Sequence, residues 1–402
     1  MKKNAKQFLS PRGLLVSILT FAGVSRLWRL AFPNEYYFDE VYHVVTAKLM
    51  AHNDPRAYEW WHPAPEPKTA IDWLHPPLAK LFQALSMLLV GDSSFGWRLS
   101  SALFGVGVIA LIYFLARKLK FSQKVSLLAA ALASFDGLLL TMSRITMNDI
   151  HVTFFIVLAL WLYLHWREQP TFKRALWIGL AAGAAVASKW SGVFVLAPIL
   201  FDQLWQVLQI KIKRKSLPLS SRLVLLASLI LLIPTVYLAS YGQMFIQGHG
   251  WQHLKELHQQ IWWYQTNLTA THPYQSTPLQ WILNLRPVYT YTDNPGEGLM
   301  RHMYIQGNPI LLWGALIAVL WSLSSLLVWG GSWIQLTLDA LDAKSKKAIT
   351  LQKKRLAELK KETRVAGPII FLLVAYFSMW IVWTNSPRIM FFYHYTPALP
   401  FL

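Results

Sequence analysis

The sequence predicts an all-α polytopic membrane protein of about ten transmembrane helices, with one short interfacial helix in its first outer loop. Two observations lead to this fold class. Of the 402 residues, 54% are hydrophobic and 14% are charged, and apolar runs recur at lengths near the roughly 20 residues of a membrane-spanning helix. The basic residues collect in short loops between those runs, where they act as topology signals.

The apolar segments account for the predicted helices in order. They lie near residues 13–32, 76–90, 96–116, 125–142, 150–166, 175–188, 190–209, 223–243, 309–330, 367–383 and 389–402. The first follows the charged stretch MKKNAK, and no small-residue cleavage site comes after it, so we expect a retained transmembrane helix. The last is too short to span, which predicts either a C-terminally truncated chain or an unusual end.

The basic clusters orient these helices. By the positive-inside rule we place on the cytoplasmic side Lys2, Lys3, Lys6 and Arg12; Arg117, Lys118, Lys120 and Lys124; Arg167, Lys173 and Arg174; Lys211, Lys213, Arg214, Lys215 and Arg222; and the basic residues of 344–364. The alternation holds only if the short segment 76–90 lies on the outer surface instead of crossing. Two long loops, 33–95 and 244–308, then face outward from a single transmembrane domain, 1–402.

Composition excludes several classes of function. A net charge of +19 would suggest a nucleic-acid partner in a soluble chain, but here the basic residues serve topology, so no nucleic acid is expected. The chain has no cysteine and no zinc, phosphate-loop or dinucleotide motif, so we expect neither a metal nor a cofactor. The segment 344–364 suits a basic amphipathic helix on the cytoplasmic membrane face or a solvated linker.

An acidic pair, Asp39 and Glu40 in NEYYFDEVYHVV, follows the first helix directly. Neighbouring helical side chains point about 100° apart, so we expect the two carboxylates to have different roles. Asp39 suits an N-cap of the helix that runs through EVYHVVTAKLM, and it equally suits a general base at the membrane surface.

Basic residues near the same face are candidates for binding an anion. Arg26 lies about a turn deeper in the first helix than Arg29, where an ionisable group more often faces a polar cavity than snorkels. Arg98 begins the helix after the first outer loop, and its planar guanidinium suits phosphate, although membrane anchoring is the commoner use. Lys189, in ASKWSG, lies at another outer turn.

Further candidates lie at the outer ends of other helices. His75 stands beside the Pro-Pro break of DWLHPPLAK, and Arg144 and Asp149 lie in the outer turn SRITMND. Each has an ordinary structural alternative, as a helix start or an interface anchor. The convergence of acidic, basic and imidazole groups on one side of the membrane is less expected of scattered anchors, and it favours a site at the outer surface.

Taken together, these motifs resemble a known family. In this order and at these spacings, FDEVYH, HPPLAK, the Arg of WRLSSALFG, SRITMND, SKWSG, HPYQSTPLQW and RP are similar to the protein O-mannosyltransferases, which are polyprenyl-phosphate-dependent glycosyltransferases. The resemblance covers nearly the whole chain from Arg26 onward. The chain lacks the inserted soluble domain of the eukaryotic members, which indicates a bacterial member.

The resemblance implies a GT-C-type fold and inverting transfer of mannose from a polyprenyl-phosphate donor to Ser or Thr of an acceptor protein, on the outer face of a bacterial plasma membrane. Asp39 matches the family's essential first-loop Asp, and Glu40 its partner. Arg26 and Arg98 match functionally important arginines. His75 falls in the family's His-Pro-Pro element, and Lys189 and Asp149 match positions that recur in the family.

The chemistry of such a transfer accounts for the acidic pair. Asp39 would act as general base toward the attacking hydroxyl, while Arg26, Arg98 and Lys189 would stabilise the leaving lipid phosphate. Two other functions stay open: a related lipid-carrier transferase that moves another sugar to a lipid or glycan, and a transporter. The transporter is disfavoured because such proteins place ionisable groups near the bilayer midplane, often with internal repeats.

Overall fold

The computed structural model describes residues 10–208, 217–296, 298–342 and 346–402, and it is mostly helical. The helices are α1 (Pro11–Leu27), α2 (Glu40–Ala51), α3 (Leu78–Val90), α4 (Ser94–Lys118), α5 (Gln123–Ser134), α6 (Gly137–Met142), α7 (Asp149–Glu168), α8 (Phe172–Ser188), α9 (Leu196–Leu208), α10 (Leu219–Ser240), α11 (Gly242–Ile246), α12 (Trp251–Asn267), α13 (Pro278–Ile282), α14 (Pro309–Asp342) and α15 (Lys346–Trp380). There are also 3-10 turns at Pro55–Tyr58, Trp190–Val195, Ile381–Asn385 and Phe392–Phe401.

Several helices are long and apolar enough to cross a membrane. Among the described residues, five such stretches are Ser94–Lys118, Asp149–Glu168, Leu219–Ser240, Pro309–Leu336 and Val365–Asn385. The chain is therefore an integral membrane protein, as the sequence predicts. Two predicted spans are not single helices. The segment 125–142 breaks at Asp136, whose carboxylate accepts a hydrogen bond from the Leu139 N–H (2.8 Å) and so begins α6, and 190–209 starts as a 3-10 turn before α9.

The bundle core forms where α4, α7, α8 and α10 pack against one another. Small residues on α8 allow the closest approach. A Cβ atom at Gly179 would lie 2.6 Å from the Ser228 hydroxyl, and one at Gly183 would lie 2.8 Å from the Val236 Cβ, so glycine is required at this crossing with α10. The Ser228 hydroxyl also donates to the Ala175 carbonyl (2.6 Å), which fixes the two helices in register.

A second apolar core lies under the two outer loops, where α2, α3, α11 and α12 meet. On α3, by contrast, Leu85, Leu88 and Leu89 are 48%, 66% and 74% exposed and share one helix face. An exposed leucine face on a helix of this length fits the predicted interfacial helix, which would lay those side chains in the membrane surface.

Three elements differ from the sequence-based expectation. The chain is not purely α-helical, because β1 (Val288–Gly296) and β2 (Leu299–Ile305) form an antiparallel hairpin in the second outer loop, with Val288 paired with Ile305. From Lys346 the predicted basic segment is the first half of α15, which continues through Pro368 into the following apolar stretch. The last apolar segment is a buried 3-10 run, Phe392–Phe401. Residues 343–345 and the basic clusters at 2–6 and 211–215 lie outside the described residues.

The orientation of α3 can be tested with single cysteines, since the chain contains none. Ala70, Ser93 and Lys124 are exposed and lie before α3, between α3 and α4, and after α4. We expect Ala70→Cys and Ser93→Cys to react with an impermeant thiol reagent from the outer side, and Lys124→Cys only after the membrane is permeabilised. Labelling of Ala70 and Ser93 from opposite sides would show that α3 crosses the membrane.

Candidate functional site

The first outer loop is held by a buried ion pair. The Arg98 guanidinium donates to both carboxylate oxygens of Glu40, from Nε to Oε1 (2.8 Å) and from Nη2 to Oε2 (2.7 Å), and both side chains are fully buried. The same Glu40 carboxylate accepts the Thr146 N–H at 3.0 Å. Glu40 therefore ties α2 to α4 and to the turn before α7.

The remaining donors of Arg98 bind the backbone of this loop. Nη1 donates to the carbonyls of Leu30 (3.1 Å) and Pro33 (2.8 Å), and Nη2 donates to the carbonyl of Glu35 (3.0 Å). The guanidinium carbon lies 4.8 Å from the Tyr37 ring centroid. An arginine with these partners is a structural clamp, which leaves it poorly placed to bind a phosphate as well.

Asp39 stands at the N-cap position of α2 but does not cap it. Its side chain makes no capping hydrogen bond, and the preceding Phe38 has a φ of 54°, a conformation uncommon for an aromatic residue. Phe38 packs edge-to-face against Phe391 and Tyr393. This contact stabilises the unusual backbone immediately before Asp39, and strained backbone is often found at functional sites.

The Asp39 carboxylate lies in a mixed polar environment. It is partly exposed and lies near Tyr393, whose own pKa is raised well above 10 by burial and by the Asp39 charge, so the phenol is protonated. Burial raises the Asp39 pKa above its usual range, and the nearby charges of His43 and Lys189 offset only part of that effect. A carboxylate with a raised pKa is a better base than an ordinary Asp.

Lys189 is placed by a turn that needs glycine. A Cβ atom at Gly192 would lie 2.3 Å from the Ala185 carbonyl, so only glycine lets the turn after α8 fold back on that helix. Lys189 Nζ donates to Asp149 Oδ1 at 2.8 Å and lies 5.5 Å from the Tyr393 ring centroid. The pair brings the predicted residues Lys189 and Asp149 together beside Asp39.

A cleft of about 330 Å³ opens next to these residues. It is lined by Leu74, His75, Pro76, Lys189, Trp190, Ser191, Val193, Phe194, Trp262, Gln265, Val382, Trp383, Ser386, Arg388 and His394. Within the part of the chain that the structure describes, this lining contains two cations, Lys189 and Arg388, and no carboxylate. Burial lowers the pKa values of His75 and His394 well below 6.5, so both rings are neutral. The cleft is therefore suited to an anion.

A third group centres on Asp72, beneath the cleft. Its carboxylate lies 2.9 Å from His43 Nδ1, 3.5 Å from His75 Nδ1 and 3.0 Å from Lys80 Nζ. Burial alone would raise the pKa of Asp72, but the Lys80 ammonium holds it well below its usual range. The carboxylate thus stays ionised beside both histidines.

The other predicted arginines lie elsewhere. Arg26 is fully buried between α1 and the end of α6, where Nε donates to Ser143 (3.2 Å) and Nη1 to the Ala22 carbonyl (3.3 Å). Arg144 donates to the carbonyls of Ser25 (2.8 Å) and Arg26 (2.9 Å), at the end of α1. Neither belongs to the described lining of the cleft, and both fasten α1 to the bundle.

Sequence reasoning missed several members of the site. Arg388, Tyr393 and His394 come from RIMFFYHY, which the hydropathy pattern places in a short apolar end, although an Arg and a His in such a run are signals of a polar wall. His43 lies in the motif FDEVYH and Asp72 in DWLHPPLAK. Only the three-dimensional structure shows that these two side chains lie next to each other. Among the described residues, no three His, Cys, Asp or Glu side chains are grouped so as to hold a metal ion.

Two family models match consecutive parts of the chain. The model for dolichyl-phosphate-mannose-protein mannosyltransferase matches residues 82–247, and the model for the C-terminal four-transmembrane region of protein O-mannosyltransferase matches residues 250–402. Together the two consecutive models span most of the chain.

Curated relatives point the same way. A polyprenol-phosphate-mannose–protein mannosyltransferase of Corynebacterium glutamicum is 28% identical, with 63% of this chain and 60% of that protein covered. The enzyme of the same description from Mycobacterium tuberculosis is also 28% identical, with 60% and 58% covered. The chain thus spans less than two thirds of the length of these relatives.

Solved structures share the fold. The protein O-mannosyltransferase Pmt1–Pmt2 complex of Saccharomyces cerevisiae, bound to the sugar donor, matches 98% of this chain and 84% of its own, with a TM-score of 0.75 and 15% identity. ArnT from Cupriavidus metallidurans matches 96% of this chain and 57% of its own, with a TM-score of 0.55. The fold is that of the GT-C glycosyltransferases, and the chain belongs to the protein O-mannosyltransferase family.

Proposed function

We propose that this protein transfers mannose from a polyprenyl-phosphate-mannose donor to Ser or Thr hydroxyls of an acceptor protein. One observation carries the proposal: a partly exposed carboxylate, Asp39, adjoins a cleft whose described lining has two cations and no carboxylate. A base beside an anion-binding cleft is the arrangement that a glycosyl phosphate donor and a hydroxyl acceptor require.

Asp39 acts as the general base. The attacking hydroxyl gives its proton to the carboxylate as the oxygen bonds to the anomeric carbon, and the bond from that carbon to the phosphate oxygen breaks. Attack from the face opposite the leaving group inverts the anomeric centre. The raised Asp39 pKa strengthens the base, and the protonated Tyr393 phenol beside it is available to donate to the carboxylate.

The leaving phosphate is stabilised by Lys189 and Arg388. Both line the cleft, and charge-assisted hydrogen bonds from fixed cations are strong where water is partly excluded. We do not assign this role to Arg98, because its donors bind Glu40 and three backbone carbonyls, or to Arg26, which lies outside the described lining. Both arginines instead hold the loop and helix that carry Asp39.

The walls of the cleft suit the rest of the donor. Trp190, Trp262 and Trp383 line it, and flat aromatic faces pack well against sugar rings and isoprenoid chains. Membrane lipids surround the exposed apolar faces. We further propose about ten spans in one transmembrane domain, 1–402, with loops 33–95 and 244–308 and the site on the outer face of a bacterial plasma membrane.

The function is tested by incubating the purified protein with a panel of polyprenyl-phosphate sugars and Ser/Thr peptides, with products identified by mass spectrometry. We expect mannosylated peptide from the mannose donor alone. Transfer of another sugar, or transfer to lipid or glycan but not to peptide, would contradict the proposed substrates.

In the same assay, Asp39→Asn should lose about a hundredfold or more in rate, because an amide cannot take the hydroxyl proton.

The thermal unfolding midpoint of Asp39→Asn should match the parent, because the Asp39 side chain makes no capping bond to lose. Asp54→Asn is the matched control: Asp54 lies in the same outer loop and its carboxylate does accept the Arg56 N–H (3.0 Å). That variant should keep the parental rate. Near-parental transfer by Asp39→Asn would show that the base lies elsewhere.

Arg388, which lines the cleft, and Arg98, which binds Glu40, should respond differently to substitution. Arg388→Gln should raise the KM for the lipid donor about tenfold or more, with little change in the unfolding midpoint, because it removes a charged contact to phosphate. Arg98→Lys should lower the unfolding midpoint, because lysine cannot make the bidentate pair with Glu40.

Arg29→Lys serves as the control for these variants, because Arg29 is an exposed arginine in the same loop region and lies outside the described cleft lining. It should resemble the parent in both measurements. A donor defect in Arg98→Lys at parental stability, together with normal donor use by Arg388→Gln, would reverse the assignment of the two arginines.

A further inference from the structure

One wall of the cleft is held in place by a residue outside its described lining. Trp190, which follows the cation Lys189 directly, lines the cleft and donates from its indole Nε1 to the hydroxyl of Tyr237 at 2.9 Å. Tyr237 belongs to α10, a different helix. The lining residue Trp383 differs, because its indole donates to a carbonyl only four residues earlier in the chain (3.1 Å). The ring of Trp190 is therefore oriented by a bond to another helix.

The hydroxyl of Tyr237 is itself oriented by His258. Its oxygen lies 2.7 Å from His258 Nε2, and His258 Nδ1 lies 2.7 Å from the carbonyl oxygen of Leu254. A carbonyl oxygen only accepts, so Nδ1 carries the proton, and Nε2 of the neutral ring is the acceptor. Burial lowers the pKa of His258 below its ordinary value, which favours that neutral ring. Tyr237 therefore donates to His258 and accepts from Trp190.

His258 is a fixed partner because α12 is bound to the cleft at a second point. Trp262 and Gln265 line the cleft and follow His258 by four and seven residues, so the three side chains share one face of the helix. The Gln265 amide oxygen accepts a hydrogen bond from Arg388 Nη1, and its amide nitrogen donates to the Leu74 carbonyl at 3.4 Å. This face of α12 is thus bonded on both sides of Trp262.

Packing already places the ring of Tyr237, so its hydroxyl is needed mainly for direction. The ring centroids of Tyr237, Tyr241 and His258 lie 5.4 to 5.6 Å from one another. The Trp190 ring centroid lies 6.3 Å from that of His258. These contacts are made by the rings, so Tyr237→Phe keeps them and removes only the hydrogen bonds of the hydroxyl.

We propose that Tyr237 is a positioning residue for the lipid donor: it fixes the Trp190 ring, and with it the backbone that carries Lys189. This proposal rests on the proposed function. Trp190 and Lys189 are joined by one peptide bond, so movement of the indole out of the cleft wall also shifts the start of the Lys189 side chain. The flat indole face suits the sugar ring or the isoprenoid chain of the donor, while Lys189 suits its phosphate.

Donor kinetics of a variant without the hydroxyl test the proposal. Tyr237→Phe should raise the KM for polyprenyl-phosphate-mannose about fivefold or more, because the indole N–H loses its partner and the ring its fixed orientation. The kcat and the KM for the acceptor peptide should stay within about twofold of the parent. A parental donor KM in Tyr237→Phe would overturn the proposal.

Two substitutions of His258 separate the hydrogen bond from packing. His258→Gln supplies an amide oxygen that can accept from the Tyr237 hydroxyl, so its donor KM should stay within about twofold of the parent. His258→Leu has no acceptor, so it should raise the donor KM as Tyr237→Phe does. An equal donor KM in the two His258 variants would show that the acceptor on this side chain does not orient Tyr237, contrary to the proposal.

A double-mutant cycle tests whether Tyr237 acts through Trp190. Trp190→Phe removes the indole N–H, so it should raise the donor KM by itself. Tyr237→Phe added to that variant should raise the donor KM less than about twofold further, because no indole N–H is left to orient. Independent, multiplying effects of the two substitutions would contradict a role through Trp190.

Tyr58→Phe is the matched control. Tyr58 is a buried tyrosine of the apolar core under the outer loops, its hydroxyl donates to Gln243 Oε1 at 3.0 Å, and it lies outside the described lining of the cleft. This variant should keep the parental donor KM even where its unfolding midpoint falls. A donor KM raised equally by Tyr58→Phe and Tyr237→Phe would show a general effect of lost stability and would overturn the proposal.

Failure of this proposal is distinguishable from failure of the proposed function. If the parent protein transfers no mannose to peptide, the function itself is wrong. If the parent transfers mannose while Tyr237→Phe keeps the parental donor KM, the transfer stands and only the role of Tyr237 is lost.

Discussion

The Glu40–Arg98 pair is the constraint on which the site depends. Both charges are fully buried, and removing one partner of such a pair typically costs about 3–5 kcal/mol because the other is left uncompensated. Arg98 also binds three carbonyls between residues 30 and 35, and Glu40 also binds the backbone before α7. The pair therefore sets where the first outer loop lies against the bundle, and with it the position of Asp39.

Two adjacent carboxylates acquire opposite roles through their surroundings. Glu40 points into the bundle and is fully satisfied by a guanidinium and a backbone N–H. Asp39 faces the other way, toward Tyr393 and Lys189, and keeps some exposure to solvent. A single turn of backbone, started by the left-handed Phe38, thus separates a buried, paired carboxylate from a partly exposed one.

The features that could be predicted from the sequence are those that depend on residues close together in the chain. Hydropathy predicted several membrane helices, and the described residues contain them. The surface position of the short α3, which the basic clusters predict, and the different roles of Asp39 and Glu40, which the angle between neighbouring side chains predicts, stay predictions. The pairing of Arg98 with Glu40 was not predictable, because the residues are 58 positions apart and any of several carboxylates could have been the partner. Arg98 was consequently expected to bind phosphate, a role better suited to Arg388.

The contribution of the segment RIMFFYHY to the site was not predicted, for a related reason. In RIMFFYHY the apolar residues dominate any hydropathy window, so the few polar side chains that face Asp39 and the cleft carry little weight. The break at Asp136 and the turn at Gly192 were hidden in the same way, since each depends on one capping bond or one close contact inside an apolar run.

An experimental structure with a bound polyprenyl-phosphate sugar would test the central claim most directly, through the distances from the phosphate oxygens to the basic side chains. The account predicts those oxygens within hydrogen-bonding distance of Lys189 and Arg388, the anomeric carbon on the side of Asp39, and the Glu40–Arg98 pair intact. Phosphate oxygens bound to Arg98, with Glu40 displaced from it, would contradict the account.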